Sequence, residues 1–98
     1  MVVGTGIIII RLPENDSLKG KRKVIKSIIG KIKNTFNASA AEIGANDIHR
    51  RIEIGFALVG NDQSYINSKI DKIFNMVDDM GMGEILDTDM EIMTINFN

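Results

Sequence analysis

The stretch "RRIEIGFALVG", residues 50–60, alternates along its length, with Ile52, Ile54, Phe56 and Leu58 on one parity and Glu53, Gly55, Ala57 and Val59 on the other. A period of two with β-branched and aromatic residues predicts a strand. Beyond Gly60 the period changes. "ND" (61–62) is a helix N-cap signal, and Ile66, Ile70, Ile73, Phe74 and Val77 recur at helical spacing until Gly81 and Gly83 close the element. "EILDTDMEIMTINF" (84–97) then reads as a final strand.

The preceding half mirrors this order. "MVVGTGIIIIRLP" is a β-branched run closed by Pro13, whose missing N–H ends a ladder. Asp16 or Ser17 caps a helix with Leu18, Ile25, Ile28, Ile29, Ile32 and Phe36 on one arc, and Asn37 stops it. "ASAAEIGA" (38–45) is a weaker strand signal. The sum is an α+β domain spanning residues 1–98 in the order β-α-β-β-α-β, the split βαβ plan. Right-handed crossovers put both helices on one face of a four-stranded antiparallel sheet in the order 4-1-3-2.

Composition narrows the class of activity. Ninety-eight residues make one domain, and 44% hydrophobic with 26% charged residues is ordinary for a soluble fold. With no cysteine there is no disulfide framework, thiolate nucleophile or cysteine metal site, which fits a reducing cytosol. Ile7–Ile10 is too short to span a bilayer, so no membrane partner is expected and the chain is read as cytoplasmic.

The net charge of −1 conceals an asymmetry. Residues 1–49 hold eight Lys/Arg and four Asp/Glu, residues 50–98 four and nine, and no acid lies between Asp16 and Glu42. In "NDSLKGKRKVIKS" (15–27) the cations crowd the first turns of the helix. Successive helical residues are separated by about 100°, which sets Lys19, Arg22, Lys23, Lys26 and Lys33 in a stripe beside the apolar arc. Lys21 falls near the core side and Lys31 on the opposite flank. Each cation at a helix start opposes the macrodipole by roughly 0.3–1 kcal/mol at low salt. Exposed amides and lysines there suit an anion. The candidate anion or nucleic-acid site is therefore Ser17, Lys19, Lys21, Arg22, Lys23 and Lys26, against the plainer reading of a solvated helix face.

The strand at 50–60 carries a second expectation. If Gly55, Ala57 and Val59 lie beneath the helices, Ile52, Ile54, Phe56 and Leu58 form an exposed apolar row, best buried in a homo-oligomer. The opposite parity makes that row ordinary core. "IGFALV" (54–59) matches part of the RRM signature on the third strand. Ile54 and Leu58 replace its cation and second ring, and "IIIIRL" offers no ring on the first strand. Base stacking on the sheet is not expected. RNA contact should run through the helix to the backbone, sensitive to salt and weakly sequence-specific.

Catalytic signals are weak. His49 is the only histidine and reads as a surface residue; Ser17 and Ser27 have no base nearby; "GTG" (4–6) is not followed directly by a helix and is no phosphate loop. Asp87, Asp89 and Glu91 share one face of the last strand at a spacing of about 6.6 Å, too far apart to close on one ion without other ligands. They read as charge guarding a sheet edge, or as a partner for the cationic helix of a neighbouring subunit. No metal or cofactor site is expected.

Taken together, "MVVG", "SLKGKRKVIKSIIGKIKNTFNASAAEI", "RRIEIGFALVGND" and "EILDTDMEIM" resemble the YlxP-like family, with Ser17, Leu18, Lys19, Lys21 and Arg22 in its most specific motif. The resemblance implies a ferredoxin-like fold, no established enzymatic activity and, through gene neighbourhood, a link to RNA or ribosome maturation. His49 stands where the family often carries a tryptophan. Three functions are expected in descending order: a non-enzymatic domain engaging RNA or a ribosomal particle, a structural homo-oligomerisation module without nucleic acid, and an enzyme holding a phosphate ligand.

Overall fold

The computed structural model describes residues 1–97. Its elements are β1 (Val2–Arg11), α1 (Leu18–Phe36), β2 (Ser39–Gly44), β3 (Arg51–Gly60), α2 (Gln63–Met80) and β4 (Glu84–Thr94). The sheet order β2-β3-β1-β4, all neighbours antiparallel, is the order expected from the sequence. β4 stops at Thr94 rather than 97 because β1 supplies its partners: the ladder ends at Val2 opposite Thr94, and among the described residues only Met1 and Ile95 exchange backbone hydrogen bonds beyond it. No helix is long and apolar enough to cross a membrane among the described residues.

Both helices end as their sequences direct. Ser17 caps α1, its hydroxyl accepting from the Gly20 N–H, and Asn37 closes it in the left-handed region at φ 49°. Asp62 caps α2 and accepts from the Tyr65 N–H, while Gly81 closes it at φ 62°.

The parity of β3 puts the row expected at an oligomer interface into the core. Ile52 and Ile54 are fully buried, Phe56 is 4% and Leu58 6% exposed, and all four pack into the core beneath the helices. The ladder explains why. Phe56 lies opposite Gly6 and Leu58 opposite Gly4, and these two glycines leave the space that the bulky row and α2 fill. A Cβ on Gly6 would drive into the Phe56 ring, and one on Gly4 into Ile66 and Ile70 of α2. Phe56 also meets Phe74 edge-to-face at 5.7 Å. Burying each large side chain is worth roughly 1.5–3 kcal/mol, so the bulky row goes under the helices and Gly55 and Ala57 go outside. Ile52, Ile54, Phe56 and Leu58 therefore form no oligomer interface.

Candidate functional site

α1 lies over β2 and β3, with α2 beside it. Ile25, Ile28 and Ile32 are its buried stripe. Val24 borders a hollow with Gly81–Gly83 beyond α2, and Lys31 one with Met76 and Met80 of α2, so that flank faces the second helix. The cationic stripe occupies the other flank, above the free edge β2. Lys19, Arg22, Lys23, Lys26 and Lys33 are all exposed. Three ion pairs exist among the described residues, Arg11–Glu84, Lys21–Glu42 and Arg51–Glu53, and none includes a stripe residue. The first turn of α1 holds no acid.

Lys21 leaves the site. It is 1% exposed and turned inward. Its ammonium donates to the carbonyls of Ala45 and, at 2.9 Å, Ile48 in the β2–β3 loop, and stands 3.3 Å from Glu42 Oε2. That last contact is an ion pair without hydrogen-bond alignment; Glu42 Oε1 takes the Asn46 amide at 3.4 Å. The helical wheel puts Lys21 near the core, and the backbone carbonyls of the loop decide the outcome: a buried ammonium must find acceptors, and here it finds them in protein. It cannot serve an external anion.

Ser17 keeps the helix start in shape but is occupied by it. Its hydroxyl is committed to Gly20, and Asn15 folds across the same turn, donating to the carbonyls of Ser17 (2.8 Å) and His49 (2.6 Å). A Cβ on Gly20 would strike Asn15 Oδ1, so glycine at that position lets the asparagine sit there. Arg50 Nε donates to the Asn15 carbonyl at 3.0 Å, and the Leu12 N–H to the Arg50 carbonyl at 2.9 Å. The β1–α1 and β2–β3 loops are thus one clasp, built by Asn15, Lys21 and Arg50. Asn15 carried no sequence signal, because a loop asparagine is common and its partner at His49 is 34 residues away.

Midway along the stripe, Gly30 has nothing within 4 Å of where its Cβ would be. Glycine inside a long helix costs about 1 kcal/mol relative to alanine, and no neighbour among the described residues requires it. It leaves a low point among Lys23, Lys26 and Lys33 where another backbone can come close.

The acidic row lies elsewhere. Asp87, Asp89 and Glu91 pair with Ile9, Ile7 and Thr5 of β1 and project from the sheet face opposite the helices, along the edge strand β4. A register shift between Ile9 and Ile10 bulges β4 at Leu86. Stripe and row occupy opposite edges and opposite faces. His49 is exposed in the β2–β3 loop and contributes its carbonyl to the clasp.

A family described as "Protein of unknown function (DUF503)" matches residues 3–90. The uncharacterized protein YlxP of Bacillus subtilis (strain 168) is 34% identical over 62 residues, covering 63% of this chain and 67% of the relative. The solved structure of the de novo designed protein Foldit4 aligns at TM-score 0.55 and 12% identity, over 97% of this chain and 98% of the other. The designed protein LFR1 1, with a ferredoxin fold, aligns at 0.52 and 12% over 95% and 83%. The Arabidopsis thaliana protein At3g17210 aligns at 0.52 and 9% over 98% and 97%. These structural likenesses bear on the fold alone. The profile match and the YlxP identity, on a ferredoxin-like β-α-β-β-α-β frame, make this chain a YlxP-like member of the DUF503 family.

Proposed function

We propose that the chain is a cytoplasmic, non-enzymatic binding domain whose first helix engages the phosphate backbone of structured RNA, free or within a ribosomal particle. One observation carries this reading: five exposed cations crowd one flank of α1, and none is neutralised by a carboxylate among the described residues. A helix selected for stability alone would place acids in its first turn and oppositely charged residues four apart. Phosphates would relieve both costs. Gly30 favours a close backbone approach, and the lack of an aromatic residue on the stripe favours contact with phosphates over stacked bases.

The two rivals have less support. Cationic helix and acidic strand stand on opposite faces, so one two-fold contact cannot join them reciprocally, and head-to-tail association would be needed. A phosphate-holding enzyme would use the helix start, where Ser17 and Asn15 already occupy the turn.

The test is retention of a mixed-sequence RNA duplex over a salt series. Each phosphate contact adds about 0.9 or less to the slope of log affinity against log salt. Combined Lys19→Glu, Arg22→Glu and Lys23→Glu should abolish retention and flatten the slope. Unchanged binding by that variant defeats the proposal.

A further inference from the structure

The sheet face away from the helices is exposed yet apolar at its centre. Val3, Ile7 and Ile9 of β1, interrupted by Thr5, run down its middle, Ile7 40% exposed, with Ile43 (52%) and Val59 (66%) beside them. Beside the β1 ridge, Gly55 and Ala57 of β3 and Ala41 of β2 line a depression of about 380 Å³. Charges keep to the border: the acidic row on β4, and the Arg11–Glu84 and Arg51–Glu53 pairs at one end. An apolar centre inside a polar rim is the anatomy of a protein interface.

We infer that this face is a two-fold interface with a second copy of the chain. Size, shape and charge each support that occupant. Four strands about 4.8 Å apart, of six to eleven residues, cover roughly 600 Å² in plan, which side-chain relief raises toward the ~800 Å² per partner of stable complexes. Ridge and trough lie on adjacent strands, Ile7 directly opposite Gly55 in the ladder. A two-fold axis parallel to the strands, passing between β1 and β3, exchanges them. Each copy's Ile7 then enters the other's hollow at Gly55, and Val3 meets Val59. The contact is isologous and closes at two. Charge favours this axis over one across the strands: Arg11 falls over the partner's Arg51, but each keeps its own carboxylate, Glu84 and Glu53. This axis sets β4 over the partner's β2, leaving the acids hydrated at the rim, whereas an axis across the strands would stack Asp87, Asp89 and Glu91 on their own copies. Sheets packed this way cross at about 30° and bury their facing side chains. α1 stays outside the contact, so the interface is independent of the RNA reading.

Sedimentation of the full chain over a dilution series tests the inference, with circular dichroism to verify folding. The wild type should pass from monomer to dimer with concentration. Ile7→Glu and Ala57→Arg should each raise the dissociation constant about thirtyfold or more. Mixing those two variants should restore association, because the new carboxylate of one copy meets the new guanidinium of the other. A wild type that stays monomeric throughout, a dimer that persists in both folded variants, or a mixture that fails to reassociate overturns it.

Discussion

Taking the ammonium from Lys21 would strand two loop carbonyls and leave Glu42 facing the interior without its cation. Breaking a buried pair from one side costs about 3–5 kcal/mol, and the partial exposure of Glu42 brings the expectation to about 2–4 kcal/mol for Lys21→Met. Urea unfolding measures it. Adding Glu42→Gln should cost less than the sum of the two changes, the signature of coupled groups. Ala45, whose carbonyl Lys21 holds, sits in the left-handed region at φ 55°. That conformation strains a residue with a Cβ by about 1 kcal/mol, so Ala45→Gly should raise the urea midpoint, a gain trimmed by the added freedom of the unfolded chain. The clasp was only half legible in the sequence. Wheel geometry turns Lys21 inward, but its acceptors are backbone carbonyls more than twenty residues on, and carbonyls carry no sequence signature.

Periodicity made the strands and helices readable, and capping residues marked their ends: Ser17, Asn37, Asp62 and Gly81 act where their types suggest. The parity of β3 was not readable from β3. Both of its faces carry apolar residues, and the deciding fact lies in β1, where Gly4 and Gly6 open space on the helix side. That dependence makes a sharp prediction. Gly6→Ala should destabilise by about 1–3 kcal/mol through collision with Phe56, and Phe56→Leu in the same chain should recover part of the loss. In α1, Gly30→Ala meets no neighbour and should raise stability by about 0.5–1 kcal/mol, read as a higher Tm. Removing cations from the first turn should likewise not harm the helix. The variant with Lys19→Glu, Arg22→Glu and Lys23→Glu places acids at the positive end of the dipole and should melt no lower than wild type. Loss of RNA retention with intact or higher Tm would identify these cations as serving a partner rather than the fold.

A net charge of −1 is a poor description of this molecule, because its signs are sorted. Cations line the flank of α1 above β2, the row Asp87, Asp89 and Glu91 lines the far edge on the other face, and α2 between them mixes both signs. RNA should therefore approach from one side, and its affinity should follow the helix charge rather than the total. Removing Asp87, Asp89 and Glu91 together as Asn raises the net charge by three, a larger gain than any single substitution on α1 can offset. It should nonetheless leave the salt slope of RNA binding nearly unchanged, since exposed charges farther apart than about 8–10 Å are largely screened at physiological salt. A nitrocellulose filter assay across ionic strengths reads the difference.

Enclosure of Lys21 has a further use at the bench. Amine-reactive acylating reagents would tag Lys19, Lys23, Lys26 and Lys33 on first encounter, while Lys21 would stay unmodified until the loop that surrounds it swings away. Peptide mass spectrometry of the time course would then clock the transient breathing of that corner, using a reporter already in the native chain.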